Sequence, residues 1–357
     1  MKKIEEKFDF NDILIMPDQK TDINSRYNDV ILPKMLPLFT APMDTVVNLS
    51  NAEIFSNKGI NITLPRTVKY DDFLDYYNEN NNKDVLNMFV SFGLDEITEY
   101  YKNNFNDLHL NAKILIDVAN GHMQKIVDVC REIKRLRPDI VIMVGNIGNA
   151  KTYDWYVKNK CVDYIRVGIG NGNGCLTTKQ SGIGHPMGSL IKEIREIKDK
   201  YESKEDNKYK LPAIVADGGM KDYSDIIKAL ALGADYVMVG SLFNKMLESC
   251  ADNYFMGIKI NKKVAKYLFE KKLPIKKKFR GMSTKQAQKA MGKTKFKTSE
   301  GVVRIRKVEY KLGGWVDNFT HYLRNSMSYS NSKKIDDFIG KANFIKISKN
   351  SYDRFDK

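Results

Sequence analysis

Cysteine, proline, tryptophan and histidine are scarce in this 357-residue chain, at 4, 9, 2 and 4 residues. The cysteines stand at 130, 161, 175 and 250, with no CxxC pair and no metal-ligand spacing. That excludes a disulfide scaffold or a zinc-finger-type site, and fits a reducing compartment in which each thiol is free. No apolar run approaches the length needed to cross a bilayer, so no membrane partner is expected. The opening MKKIEEKFDF lacks the apolar core of a signal peptide, which makes a cytoplasmic location the expectation. Acidic residues are the minority charge, 44 against 59 Lys and Arg, for a formal net charge of +15. The lysines are spread along the chain rather than interleaved with aromatics on one element, so no nucleic-acid partner is expected. Such a surface does attract small anions, nucleotides among them.

Apolar, β-rich runs are plentiful. PLFTA (37–41), GINITL (59–64), LNMFVSF (86–92), KILID (113–117), DIVIMVG (139–145), DYIRVG (163–168), PAIVAD (212–217) and DYVMVG (235–240) recur along the chain. Most are continuous rather than alternating, as strands covered on both faces of a parallel sheet must be. Helical patterns lie between several of them. Ile126, Val129, Cys130, Ile133 and Leu136 fall three or four apart and form one apolar stripe, which makes Cys130 a core residue. SDIIKALALGA (224–234) reaches a stop at Gly233. Polar runs at 78–83 and 201–210 read as surface connections. Eight strand–helix units in a chain of this length predict an α/β fold, a (β/α)8 barrel forming a single domain over 1–357.

Polar residues collect where such a barrel keeps its chemistry. Asp44, Asp117, Asn120, Asn146, Cys175, Asp217, Gly219 and Ser241 lie at or just beyond the C-terminal ends of strands. The sixth strand is followed by a long loop, GIGNGNGCLTTKQSGIGHP (168–186). Glycines at 168, 170, 172 and 174 let this segment turn so that carbonyls point inward, as suits a monovalent cation, and Cys175 faces a ligand. A thiol attacks as the thiolate, so such a loop has a chemical purpose. Thr177 stands where it can position a leaving group or water. ADGGM (216–220) and VGS (239–241) bring backbone N–H groups close to an oxyanion, and Asp217 can accept from ribose hydroxyls.

Taken together, FDFNDILIMP (8–17), APMDTV (41–46), DVANGH (117–122), VGN (144–146), VGIGNGNGCLTT (167–178), ADGGM, VGS, RGMS (280–283), SEG (299–301) and LRNSMSY (323–329) resemble the family of inosine-5′-monophosphate dehydrogenase and guanosine-5′-monophosphate reductase. The resemblance implies a homotetrameric barrel, with a C-terminal flap region over about 253–315, that works on a purine nucleotide through a covalent cysteine adduct at C2. It makes Cys175 the nucleophile, Thr177 its loop partner and Glu300 the carboxylate assisting ammonia release. It assigns Asn173, Asp217, Gly218, Gly219, Gly240, Ser241, Gly281, Met282, Ser283 and Lys297 to the nucleotide. Arg66, Asp117, Val118, Ala119, Asn120, Gly170, Met282 and Phe296 go to the nicotinamide cofactor, and carbonyls of Gly170, Gly172 and Cys175 to a potassium ion.

Within that family the dehydrogenases carry a long flap with an Arg-Tyr pair that activates water. Here only residues 284–298 separate RGMS from SEG, and they contain no such pair. The chain also lacks the regulatory module inserted in many dehydrogenases. The expected activity is therefore NADPH-dependent deamination of GMP to IMP, a salvage reaction of purine nucleotides. The alternatives are an IMP dehydrogenase without the regulatory module, and a catalytically silent nucleotide-binding barrel. APMDTV is closer to the dehydrogenase form. Asn173 replaces a usual serine, Arg66 a lysine and Lys297 an arginine.

Overall fold

The structure is a computed structural model, and it describes residues 4–80, 88–103, 112–204, 209–292, 294–295, 298 and 301–355. Strand β1 (Ile13–Met16) lies outside the barrel. The barrel is built from β2 (Leu38–Thr40), β3 (Phe89–Phe92), β4 (Lys113–Asp117), β5 (Val141–Ile147), β6 (Tyr164–Val167), β7 (Ala213–Asp217) and β8 (Tyr236–Val239). These pair in parallel in the order β2-β8-β7-β6-β5-β4-β3. Residues 61–63 fill the remaining place. Asn61 bridges Phe39 and Thr63 bridges Phe89, both in parallel, which closes the ring as a (β/α)8 barrel.

The run at 59–64 is thus a stave in position but not a regular strand. Its ladder amounts to single bridges, and the Asn61 amide donates to the Leu36 and Leu38 carbonyls at 3.0 Å each. The other expected strands form: β4 keeps its expected bounds, β5 starts later and runs on to Ile147, and the rest are trimmed at one or both ends. Their continuous apolar character follows from double burial. Phe39, Phe89, Leu115, Met143, Val215 and Met238 pack inside the barrel with Tyr164 and Tyr236. Ile114, Ile116, Ile142, Val144, Ile165 and Ile214 face the helices. Each such side chain contributes roughly 1.5–3 kcal/mol when fully buried.

Helix Gln124–Leu136 buries Ile126, Val129, Cys130 and Ile133 as its stripe requires. Leu136, expected in that stripe, is 41% exposed because it is the last helical residue before the chain turns at Arg137. Helix Tyr223–Leu232 starts under the Asp222 carboxylate, which accepts from the Asp225 N–H at 3.0 Å, and ends on Gly233 at φ +119°. Both polar runs expected to be connections are partly helical: Tyr70–Asn80 reaches into the first, and Met187–Glu202 into the second.

Beyond the barrel, β9 (Asn253–Phe255), β10 (Ile258–Ile260), β11 (Lys276–Arg280) and β12 (Val303–Lys307) form an antiparallel sheet in the order β10-β9-β11-β12. Helix Lys262–Glu270 packs on it around Ala265, Ile275 and Val308. These strands and this helix lie within 253–315, where a flap region is expected. Helix Leu312–Tyr329 already belongs to the barrel's outer layer, where Trp315 meets Tyr223 at 5.2 Å between ring centroids. Strand β13 (Asn343–Lys346) then pairs antiparallel with β1.

Candidate active site

Four polar residues converge where β4 to β7 end. Arg166, third residue of β6, is 6% exposed and points into the barrel mouth between two carboxylates. Its Nη1 donates to Asp117 Oδ1 at 2.6 Å, and its Nη2 and Nε donate to Asp217 Oδ2 at 2.7 and 3.3 Å. Asn146 Nδ2 donates to the same Asp217 oxygen at 2.9 Å and to the Gly168 carbonyl at 2.8 Å. Burial opposes the charge on Arg166, but Asp217 and Asp117 outweigh it and raise the guanidinium pKa. A buried charge needs such partners. The result is a fixed cation linking the two carboxylates that the sequence assigned to cofactor and to nucleotide.

The loop after β6 leaves this cluster. Gly168 takes φ +123° and Gly170 φ +80°. A Cβ at Gly168 would lie 2.4 Å from Met187 Cε, and one at Gly170 only 1.8 Å from Thr178 Oγ1, so both positions exclude side chains. Gly172 and Gly174 differ from the expectation, for neither has a positive φ. Gly172 borders open space, while Gly174 allows close approach to Gly281, whose Cα would lie 3.3 Å from an added Cβ. The loop then makes one short helix, Thr177–Ser181, absent from the expected pattern.

Cys175 stands at the start of that turn and is half-buried. Its thiol donates to Thr177 Oγ1 at 3.1 Å, and the Thr177 N–H donates to the sulfur at 3.5 Å. The Cys175 N–H donates to the Gly172 carbonyl at 2.9 Å, which leaves that oxygen one lone pair for a cation. An antiparallel bridge joins Cys175 to Gly301. The three other thiols differ: Cys130 and Cys161 are 0% and 1% exposed, and burial, aided by Asp44, pushes the Cys250 thiol up to about 12.

The ends of β7 and β8 form the opposite wall. Gly218 and Gly219 turn at φ +91° and +92° beside Asn171 and Gly172. Asn173 Nδ2 donates to Ser241 Oγ at 3.2 Å, which brings two residues assigned to the nucleotide into contact across the loop. Gly240 precedes Ser241 and borders Met43. Gly281, Met282 and Ser283 follow β11, where the Thr284 hydroxyl donates to the Gly281 carbonyl at 2.8 Å. On the β4 side, the Val118 N–H donates to the Gly145 carbonyl at 3.0 Å, and Ala119 and Asn120 are exposed at the rim. Arg66 is set apart, paired with Glu96 through Nη2 at 3.0 Å and Nε at 3.1 Å. Phe296, Lys297 and Glu300 lie outside the described residues.

Sequence reasoning missed three features. Arg166 was visible as the one cation in an otherwise apolar strand, DYIRVG. Arg280 pairs with Asp44, its Nε donating to Oδ1 at 3.1 Å and its Nη2 to Oδ2. His122 accepts from the Gly148 N–H through Nε2 at 3.1 Å, so its Nδ1 carries the proton and donates to Thr152 Oγ1 at 2.7 Å. Burial lowers its pKa and favours this neutral form.

A closed (β/α)8 barrel that presents a loop thiol beside glycine-lined strand ends defines a nucleotide-handling class of barrel protein. Residues 7–354 match the family described as the IMP dehydrogenase / GMP reductase domain, and the chain belongs to that family. Among its curated relatives, the GMP reductase of Onchocerca volvulus is 26% identical over 98% of this chain and 94% of its own length. That of Buchnera aphidicola subsp. Schizaphis graminum is 28% identical over 97% and 96%. GMP reductase 1 of Homo sapiens is 26% identical over 96% and 95%. Among the described residues no helix is long and apolar enough to cross a membrane, and no three His, Cys, Asp or Glu side chains cluster to hold a metal ion.

Proposed function

We propose that this chain reduces GMP to IMP with release of ammonia, using NADPH. The observation that carries the reading is the placement of Cys175. Its thiol already donates to Thr177 Oγ1, and its backbone bridges Gly301, next in sequence to Glu300. The proton's first acceptor is therefore in place when the sulfur attacks. The relatives named GMP reductase and the short segment 284–298 support the same direction.

In the chemical sequence, the Cys175 sulfur adds to purine C2 and the bond to the exocyclic nitrogen breaks. That nitrogen leaves as ammonia, with the protons it needs passed through Thr177 and Glu300. Asp117, Val118, Ala119 and Asn120 would hold the reduced nicotinamide, whose chemistry would be to supply hydride to C2. The C–S bond breaks, the electron pair returns to sulfur, and IMP leaves. Asn173 and Ser241 hold the phosphate with the amides of Gly218, Gly219, Gly240, Gly281 and Ser283, and Lys297 adds charge there. Asp217, its orientation fixed by Arg166 and Asn146, accepts from the ribose. Met282 would border the rings, and the family resemblance assigns Phe296 to the cofactor. Carbonyls of Gly170, Gly172 and Cys175 would hold a potassium ion that stiffens the loop, and Arg66 would bind the cofactor only on giving up Glu96.

Purified protein given GMP and NADPH is expected to form IMP, with one ammonium released per NADPH consumed. Conversion of IMP and NAD to XMP, with no reaction of GMP, would replace this reading by the dehydrogenase.

A further inference from the structure

Asp44 and Arg280 are 236 residues apart in sequence, yet their side chains are only 10% and 16% exposed and meet in a two-point ion pair. Asp44 follows β2 on the barrel rim, while Arg280 is the last residue of β11. Planar two-point pairing fixes direction as well as distance. Two other ties dock β11 on the same side. Asn244, fully buried, donates to the Thr45 carbonyl at 2.8 Å and to the Lys278 carbonyl at 3.1 Å. Lys277, also fully buried, donates to the Leu247 and Ser249 carbonyls and to Ser249 Oγ at 2.6–2.8 Å.

On its far side, this segment carries the nucleophile's loop. The Gly281 N–H donates to the Val302 carbonyl at 3.0 Å, and the Val302 N–H donates to the Gly174 carbonyl at 3.2 Å. Cys175 then bridges Gly301. The contact is tight, for a Cβ on Gly281 would lie 2.6 Å from the Gly174 oxygen. Arg280 is therefore the last barrel-anchored residue before the three-segment ladder that ends on Cys175.

We propose that Asp44 and Arg280 are positioning residues, an ionic latch that sets the Cys175 sulfur against its target by seating the β11–β12 ribbon on the barrel rim. The inference deepens the proposed function, because it concerns the same thiol. It does not require that the substrate be GMP.

The test is a double-mutant cycle on the full chain with Asp44→Asn, Arg280→Gln and the double variant. Two readouts are taken: turnover of GMP with NADPH, and the rate at which iodoacetamide alkylates Cys175, followed on its peptide by mass spectrometry. A displacement near 1 Å costs about 100-fold in rate, so each single variant is expected to lose roughly 10- to 100-fold in kcat and to change the alkylation rate several-fold. The double variant should fall no further than the worse single one. Arg280→Lys, which keeps the charge but not the fork, should recover only part of the loss. Thermal melting identifies variants that merely fail to fold, and for those the cycle is run with the milder Asp44→Glu and Arg280→Lys pair. Unchanged alkylation and turnover in folded single variants, or losses that multiply in the double variant, overturn the latch. Altered alkylation in a protein that never reduces GMP leaves the latch standing and removes the proposed function.

Discussion

Replacing Arg166 by methionine keeps the volume of the side chain near its buried stem and removes the charge between Asp117 and Asp217. Each ion pair, at roughly 4 Å between charge centres and an effective dielectric near 20, supplies about 4 kcal/mol of attraction. Desolvation of a guanidinium that is 6% exposed offsets much of that. What remains after the substitution is two carboxylates facing each other with no cation, and removing one partner of a buried pair costs about 3–5 kcal/mol. Urea denaturation of Arg166→Met at neutral pH should show a loss of that size. Affinity for GMP, measured by calorimetry, should fall with it because Asp217 loses its orientation. A stability loss below about 1 kcal/mol would refute the view that Arg166 compensates both charges.

Asp225 is 4% exposed, and its pKa is raised to about 6, first by burial and then by Asp222. Between about pH 4 and 6 the native state keeps a proton that the unfolded chain has lost, so stability falls as pH rises through this window, by up to about 3 kcal/mol. Asp225→Asn should flatten that part of the stability curve and melt higher than wild type at pH 8; identical pH dependence in both proteins would dismiss the argument. Gly170→Ala forces a Cβ onto Thr178 at a backbone conformation of φ +80°. Turnover should fall at least 10-fold while the melting temperature changes little, because the loop lies outside the core; near-normal turnover would show that the turn is dispensable.

The barrel was legible because burial on both faces leaves an uninterrupted apolar run, and seven such runs became strands. The run at 59–64 carries the same pattern but forms only bridges, since the composition of a stave does not specify how many backbone bonds it makes. The proposed nucleophile was legible for a different reason: Cys175 sits among glycines, two of which, Gly168 and Gly170, the structure requires. The partners of that loop were not. Arg166 meets carboxylates 49 and 51 residues away, and Arg280 meets Asp44 at 236 residues. A single charged residue states that it needs a partner, not which one. Leu136 shows the converse limit, for the helical period continues to the last turn even where the core has ended.

The central claim is that the sulfur of Cys175 bonds to the purine. Its most direct test is Cys175→Ala, assayed for GMP turnover and, in parallel, for GMP binding by calorimetry. The account predicts binding close to wild type and no detectable turnover. Turnover at the wild-type rate in that variant would contradict it.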